Sequence, residues 1–187
     1  FVQGLMADHT IAATFAKVDY TITATAGFGG SIDPDGVIAV AHGSNKTFKI
    51  TADNGYMLSN LYVDGVAVTP ANTYTFNNVT ADHSIYAVFA QKEYTITVTQ
   101  PANGTITPGT LTVQHGATPS FMIVPNAGDT VTAITVGTTN VIANAVNVNG
   151  VFTYTFPAVT ENKTLTATIL AKKYTIAATA GANGTIS

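Results

Sequence analysis

Tyr20-Thr-Ile-Thr-Ala-Thr-Ala26, Tyr94-Thr-Ile-Thr-Val-Thr99 and Tyr174-Thr-Ile-Ala-Ala-Thr-Ala180 are three openings of one repeating unit. Their starts lie 94 − 20 = 74 and 174 − 94 = 80 residues apart. A segment that recurs head to tail at such a period is a module in an array. Within each opening, apolar residues alternate with Thr at period two, the pattern of a strand with one buried and one wet face.

Working outward, the copies stay aligned. After each opening comes a small-residue turn: Gly29-Gly30, Asn103-Gly104 or Asn183-Gly184. Asn-Gly between alternating runs predicts a type I′ hairpin, so the return strands at Ile32, Ile106 and Ile186 are expected to pair with the openings. Turns follow at Pro34-Asp35-Gly36 and Pro108-Gly109, then short strands ending at His42-Gly43 and His115-Gly116. Phe48 and Ile50 match Phe121 and Ile123; Leu61 and Val63 match Ile134 and Val136. Tyr74-Thr-Phe76 matches Tyr154-Thr-Phe156, and Ile85, Ala87 and Phe89 match Leu165, Ala167 and Ile169. The copies diverge most over 137–150, where the six extra residues of the longer unit are expected to lengthen a hairpin tip. A single helical turn is compatible with Met57 to Leu61.

Six or seven short strands per unit, with turn signals every 8 to 12 residues, point to an all-β fold. The expected architecture is tandem small antiparallel β-modules, sandwich-like or β-grasp-like, arranged as a rod. Residues 1–19 read as the end of a preceding repeat, because Ala7-Asp8-His9-Thr10-Ile11 matches Ala81-Asp82-His83-Ser84-Ile85. Residues 20–93 and 94–173 are complete modules, and 174–187 open a following one. The seams are short, lack Gly and Ser, and hold much of the scarce charge at Lys17, Asp19, Lys92, Glu93, Lys172 and Lys173. Stiff junctions are expected, since a free swing needs a flexible linker.

Composition narrows function mostly by exclusion. Charged residues are 9% of the 187, the net charge is −3, and Arg and Trp are missing. No basic field exists to draw nucleic acid or an anionic membrane. Cys is absent, so disulfides contribute nothing. No apolar run approaches the roughly 20 residues of a membrane-spanning helix.

The order Tyr-Thr-Ile, Gly-Thr-Ile-x-Pro, His-Gly, Gly-Tyr, Val-Asp-Gly, Tyr-Thr-Phe, Ala-Asp-His-Ser-Ile resembles the divergent internalin B-type repeat of bacterial surface proteins. The match is fullest over 20–93, where Gly55-Tyr56 and Val63-Asp64-Gly65 are intact; the second copy has Gly128-Asp129 and Val136-Gly137 instead. The resemblance implies an extracellular or cell-surface array acting as stalk, spacer or adhesin. It implies a compact fold likened to the β-grasp, and it supplies no catalytic residues.

Several residues invite a chemical reading. Tyr56, Tyr62 and Tyr86 are the ligand-binding candidates, an aromatic platform for a glycan or cell-wall component, matched in the second copy by Asp129, Thr135 and Thr166. The histidines form two equivalent pairs, His9 with His83 and His42 with His115, but lack neighbouring carboxylates or Cys at ligand spacing, so turn and strand-edge roles are expected. Asp33-Pro-Asp35-Gly36 lacks the further oxygens of a calcium loop. The Asn-x-Thr triplets at Asn45, Asn78, Asn103, Asn162 and Asn183 follow from composition. With only two Glu, Glu93 and Glu161, and no Cys, the sequence suggests no nucleophile–base set. Neither enzyme activity, cofactor nor metal is implied. The expected partners are neighbouring repeats of the same chain or other copies of it.

Overall fold

The computed structural model describes residues 10–174 together with 176, 178, 179, 182 and 184. His9, Thr175 of the third opening, Asn183 and Ile186 lie outside the described residues. The chain divides into two compact units between Ala90 and Gln91.

Among its described residues unit 1 holds eight strands: β1 (Asp19–Ala26), β2 (Gly30–Asp33), β3 (Gly36–Ala41), β4 (Lys46–Ala52), β5 (Tyr56–Val63), β6 (Val66–Val68), β7 (Thr73–Phe76) and β8 (His83–Gln91). They form a five-stranded sheet, β3-β1-β8-β5-β6, and a three-stranded sheet, β2-β4-β7. Inner-face residues of both sheets meet in one core: Ile22, Ala24, Leu61, Ile85 and Ala87 from the larger, Ile32, Phe48, Ile50 and Phe76 from the smaller. Period two explains the division. In β1, Ile22 and Ala24 are fully buried while Thr21, Thr23 and Thr25 are exposed.

Unit 2 repeats the plan with β9 (Glu93–Thr99), β10 (Gly104–Thr107), β11 (Leu111–Gln114), β12 (Ser120–Pro125), β13 (Asp129–Val136), β14 (Thr139–Asn140), β15 (Val146–Val148), β16 (Val151–Thr155) and β17 (Lys163–Ala171). Its sheets are β11-β9-β17-β13-β14 and β10-β12-β16-β15, around a separate core that includes Ile96, Phe121, Ile134, Phe156 and Leu165. All-β modules built as two facing sheets are therefore observed twice.

Four details differ from the sequence reading. First, the opening strand does not form a hairpin with the return strand. β1 pairs with β3, β2 pairs with β4, and the equivalents β9 and β10 likewise lie in different sheets. Asn103-Gly104 is a crossing between sheets, and neither residue takes positive φ. Its glycine serves close approach: a Cβ on Gly104 would lie 2.4 Å from the Val124 carbonyl oxygen and 2.6 Å from Ile169 Cδ1. At the equivalent Gly30 a Cβ would lie 2.4 Å from the Phe89 ring and 2.6 Å from the Thr51 carbonyl oxygen.

Second, the larger sheets are mixed. The first and last strands of each unit run parallel, β1 beside β8 and β9 beside β17. The rest of the unit is the long crossover that a parallel pair requires. Third, the extra residues of unit 2 form more than a longer tip. They add a 3-10 turn at Ile142–Asn144 and the edge strand β15, paired with β16 across Asn149-Gly150. Here both residues do take positive φ, 53° and 86°, as a type I′ hairpin requires.

Fourth, Met57 to Leu61 lies within β5. In unit 2 the β13–β17 register shifts between Val131 and Ala133, a β-bulge. The buried parity changes there, from Val131 to Ile134 and Val136, and in β5 from Tyr56 and Leu58 to Leu61 and Val63. The resulting spacing of three between core residues imitates a helical period. Ser59 and Thr132 stand at equivalent places, and each hydroxyl donates to the facing strand, to the Val88 and Thr168 carbonyls at 3.0 and 3.2 Å.

Between β8 and β9 only Lys92 lies outside a strand. The seam is short, as the sequence suggests: a single residue.

Candidate functional site

The change of buried parity in β5, between Leu58 and Leu61, decides which tyrosines share a surface. Past it, Tyr62 points away from the core while its neighbours Leu61 and Val63 face inward. Tyr86 sits on the outer side of β8, between buried Ile85 and Ala87. Their rings stack with centroids 6.4 Å apart and planes 26° from parallel. Tyr86 is 43% exposed and Tyr62 is half-buried. Thr25 lies beside Tyr86 on β1, and Ala67 beside Tyr62 on β6. Gly27 leaves room for the Tyr86 hydroxyl, which would stand 3.2 Å from a Cβ there.

Tyr56 does not join this pair. It lies before the parity change, packs against the core and meets Phe28 edge-on at 5.6 Å. The proposed trio is thus a pair on the outer sheet face and one ring closing the interior. In unit 2 the corresponding Thr135 and Thr166 hydroxyls hydrogen-bond to each other, so the flat aromatic surface belongs to unit 1.

The described histidines take structural positions. His42 and His115 pack beside Tyr20 and Tyr94, with ring centroids 5.9 and 6.1 Å apart. The following Gly43 and Gly116 have φ of 78° and 84°, and their amides donate to Val79 and Val159. His83 Nδ1 lies 2.7 Å from Asp64 Oδ2, while Asp64 Oδ1 accepts from the Ser84 amide at 2.7 Å. Burial opposes the charge of Asp64; the Ser84 amide and the His83 partner outweigh it and hold this carboxyl below its usual range. In unit 2 Gly137 and Lys163 replace the pair, and Lys163 bonds to Glu161.

A clamp that sequence reasoning missed recurs in both units. Asp82 Oδ1 accepts from the Thr21 amide at 2.7 Å and from its hydroxyl at 3.1 Å. Asn162 Oδ1 accepts from the Thr95 amide at 2.8 Å. Each ties the loop before the last strand to the opening strand. The signal was present as equivalent oxygen-bearing side chains at 82 and 162. Asn45 also has backbone work, accepting from the Asn78 amide at 2.8 Å, and Asn103 Nδ2 donates to the Ile169 carbonyl at 3.3 Å.

Among the described residues no group of three or more His, Cys, Asp or Glu could hold a metal ion, and no helix is long and apolar enough to cross a membrane. Chemically, the Tyr62–Tyr86 face offers stacking area and two hydroxyls. Neither a curated protein nor a solved structure matches the chain. The family profile described as divergent InlB B-repeat domain matches twice in tandem, over residues 20–93 and 94–172. With two successive matches spanning most of its length, the chain belongs to the divergent InlB B-repeat domain family.

Proposed function

We propose that this chain is a non-catalytic structural segment of a bacterial surface protein, in which repeated modules act as stalk or spacer. The observation that carries this reading is what the two units share. Core positions correspond, as in Ile22 and Ile96, Phe48 and Phe121, Leu61 and Ile134. So do turn and clamp positions, Gly43 with Gly116 and Asp82 with Asn162. The outer faces do not correspond. A module that keeps its interior and varies its surface serves as a building element. Its partners on this reading are adjoining repeats and other copies of the chain. Immunogold labelling of intact source cells with antibodies raised against residues 20–173 should decorate the surface. Label confined to lysed cells would overturn the reading.

A second reading rests on the stacked Tyr62–Tyr86 pair. Rigid amphipathic rings on an exposed sheet face suit the apolar face of a sugar. A glycan array probed with the protein and with its Tyr62→Ala, Tyr86→Ala variant tests it. Binding that disappears in the variant supports an adhesive role; a protein that retains no glycan removes it.

A further inference from the structure

In unit 2 a side chain occupies the gap between the opening and return strands. Gln100, just past β9, accepts from the Ile106 amide through Oε1 at 2.8 Å and donates to the Ile106 carbonyl through Nε2 at 2.8 Å. A carboxamide thereby pairs with β10 as a strand neighbour would. Thr110 enters the same gap from the far side, its hydroxyl accepting from the Val98 amide at 3.0 Å.

A uniform shift of 74 residues puts Ala26 at the position of Gln100 and Gly36 at that of Thr110. Neither residue has an arm to reach inward. The space stays open as a cleft of about 430 Å³, bordered by Ala24, Ala26, Gly30, Ile32, Asp35 and Gly36. The ladder directs Ile32 into it. Ile32 stands opposite Ile50, whose amide bonds to the Asn72 carbonyl on the other side of β4. Antiparallel residues directly opposite either exchange both hydrogen bonds or neither. This pair exchanges neither, so the Ile32 amide and carbonyl turn away from β4 toward the cleft, as those of Ile106 turn toward Gln100. Asp35, whose counterpart is Gly109, adds an acceptor at the rim.

We infer that the cleft of unit 1 is a binding site for a primary carboxamide, filled by a glutamine side chain of a partner polypeptide in the way Gln100 fills the same place in unit 2. An amide supplies the one donor and one acceptor that Ile32 presents in reverse, and its second N–H is free for Asp35. A carboxylate has no donor for the Ile32 carbonyl and meets the charge of Asp35.

Titration of the labelled two-unit protein by NMR tests this, with the N-methylamide-capped peptides acetyl-Ala-Gln-Ala-NHMe, acetyl-Ala-Glu-Ala-NHMe and acetyl-Ala-Ala-Ala-NHMe as probes, so that only the glutamine peptide carries a primary carboxamide. The expected result is saturable movement of the Gly30, Ser31, Ile32 and Gly36 amide signals with the glutamine peptide. About tenfold weaker binding is expected for the other two, which lose one or both of the directed hydrogen bonds. Ala26→Gln should close the site from within and abolish the response, while Thr99→Ala, a substitution in the other unit, should leave it intact. Equal response to all three peptides would assign the cleft to main-chain pairing and overturn the glutamine reading. So would an unmoved Ile32 signal at millimolar peptide, or an Ala26→Gln protein that binds as before.

Discussion

On the outer face of its larger sheet unit 1 carries two stacked tyrosines, where unit 2 carries two threonines joined by a hydrogen bond. Beside β2, unit 1 has a cleft where unit 2 has Gln100. At the turn after β5, unit 1 has Asp64 and His83 where unit 2 has Gly137 and Lys163. Inside, the correspondence holds: the same strand order, the same parallel central pair, and phenylalanines meeting edge-on, Phe48 with Phe76 and Phe121 with Phe156. The contrast separates what the fold demands from what a particular copy is free to change.

Two separate interiors imply separate unfolding. Phe48 and Phe121 are each fully buried. Replacing either by Ala should cost its own unit about 3–5 kcal/mol through lost burial and the cavity left behind. Urea titration followed by NMR should show Phe48→Ala moving the transition of residues 20–93 and leaving that of 94–172 within about 0.5 kcal/mol, with Phe121→Ala giving the reverse. Loss of both transitions from one substitution would break the comparison by showing a single cooperative block.

A smaller effect is expected at the shared crossing between sheets. Gly30→Ala and Gly104→Ala each force a methyl into occupied space and should cost about 1–3 kcal/mol. Each meets a backbone carbonyl, of Thr51 and Val124, which cannot swing aside as a side chain can. Gly109→Ala is the control: its added methyl meets nothing within 4 Å, and a change within about 0.5 kcal/mol is expected. If all three variants unfold alike in urea, close approach is not what these glycines provide.

The crossing also shows where sequence was legible and where it was not. Strands were legible because Thr-apolar alternation records which face is buried, as Ile22 and Ala24 in β1 and Ile96 in β9 show. Pairing was not, because Asn103-Gly104 has the letters of a hairpin turn while its glycine answers a contact with Val124 and Ile169, far along the chain. The same letters at Asn149-Gly150 do close a hairpin, and there the flanking Val148 and Val151 pair directly. At the site, exposure of Tyr86 followed from alternation with Ile85 and Ala87. The separation of Tyr56 from Tyr62 did not, since the buried face of β5 switches between them and leaves no mark beyond a core spacing of three. Gln100 was overlooked because a lone polar residue at a strand end gives no hint that its partner is a backbone six residues on.

The weakest expected difference lies in the clamps. In unit 1 the acceptor at the Thr21 amide is the carboxylate of Asp82; in unit 2 the acceptor at the Thr95 amide is the neutral amide oxygen of Asn162. The backbone and side-chain hydrogen bonds from Thr21 hold the Asp82 carboxyl below its usual range, and Asp64 is lowered as well. A carboxyl depressed by folding stabilises the native state above its unfolded value, near 4, and that contribution fades as pH falls through the folded value. Unit 2 has a lowered group too, Glu161, but its partner is the Lys163 side chain two residues away rather than a backbone amide distant in sequence, so less of its shift depends on folding. Thermal unfolding at pH 6 and pH 3 should therefore lower the midpoint of unit 1 by a few degrees more than that of unit 2. Asp82→Asn copies the clamp of unit 2 into unit 1, keeps the acceptor and removes the titration, so it should narrow the gap, leaving the part due to Asp64. A gap unchanged by Asp82→Asn would place the acid sensitivity elsewhere, and the two clamps would then be equivalent in charge as well as in position.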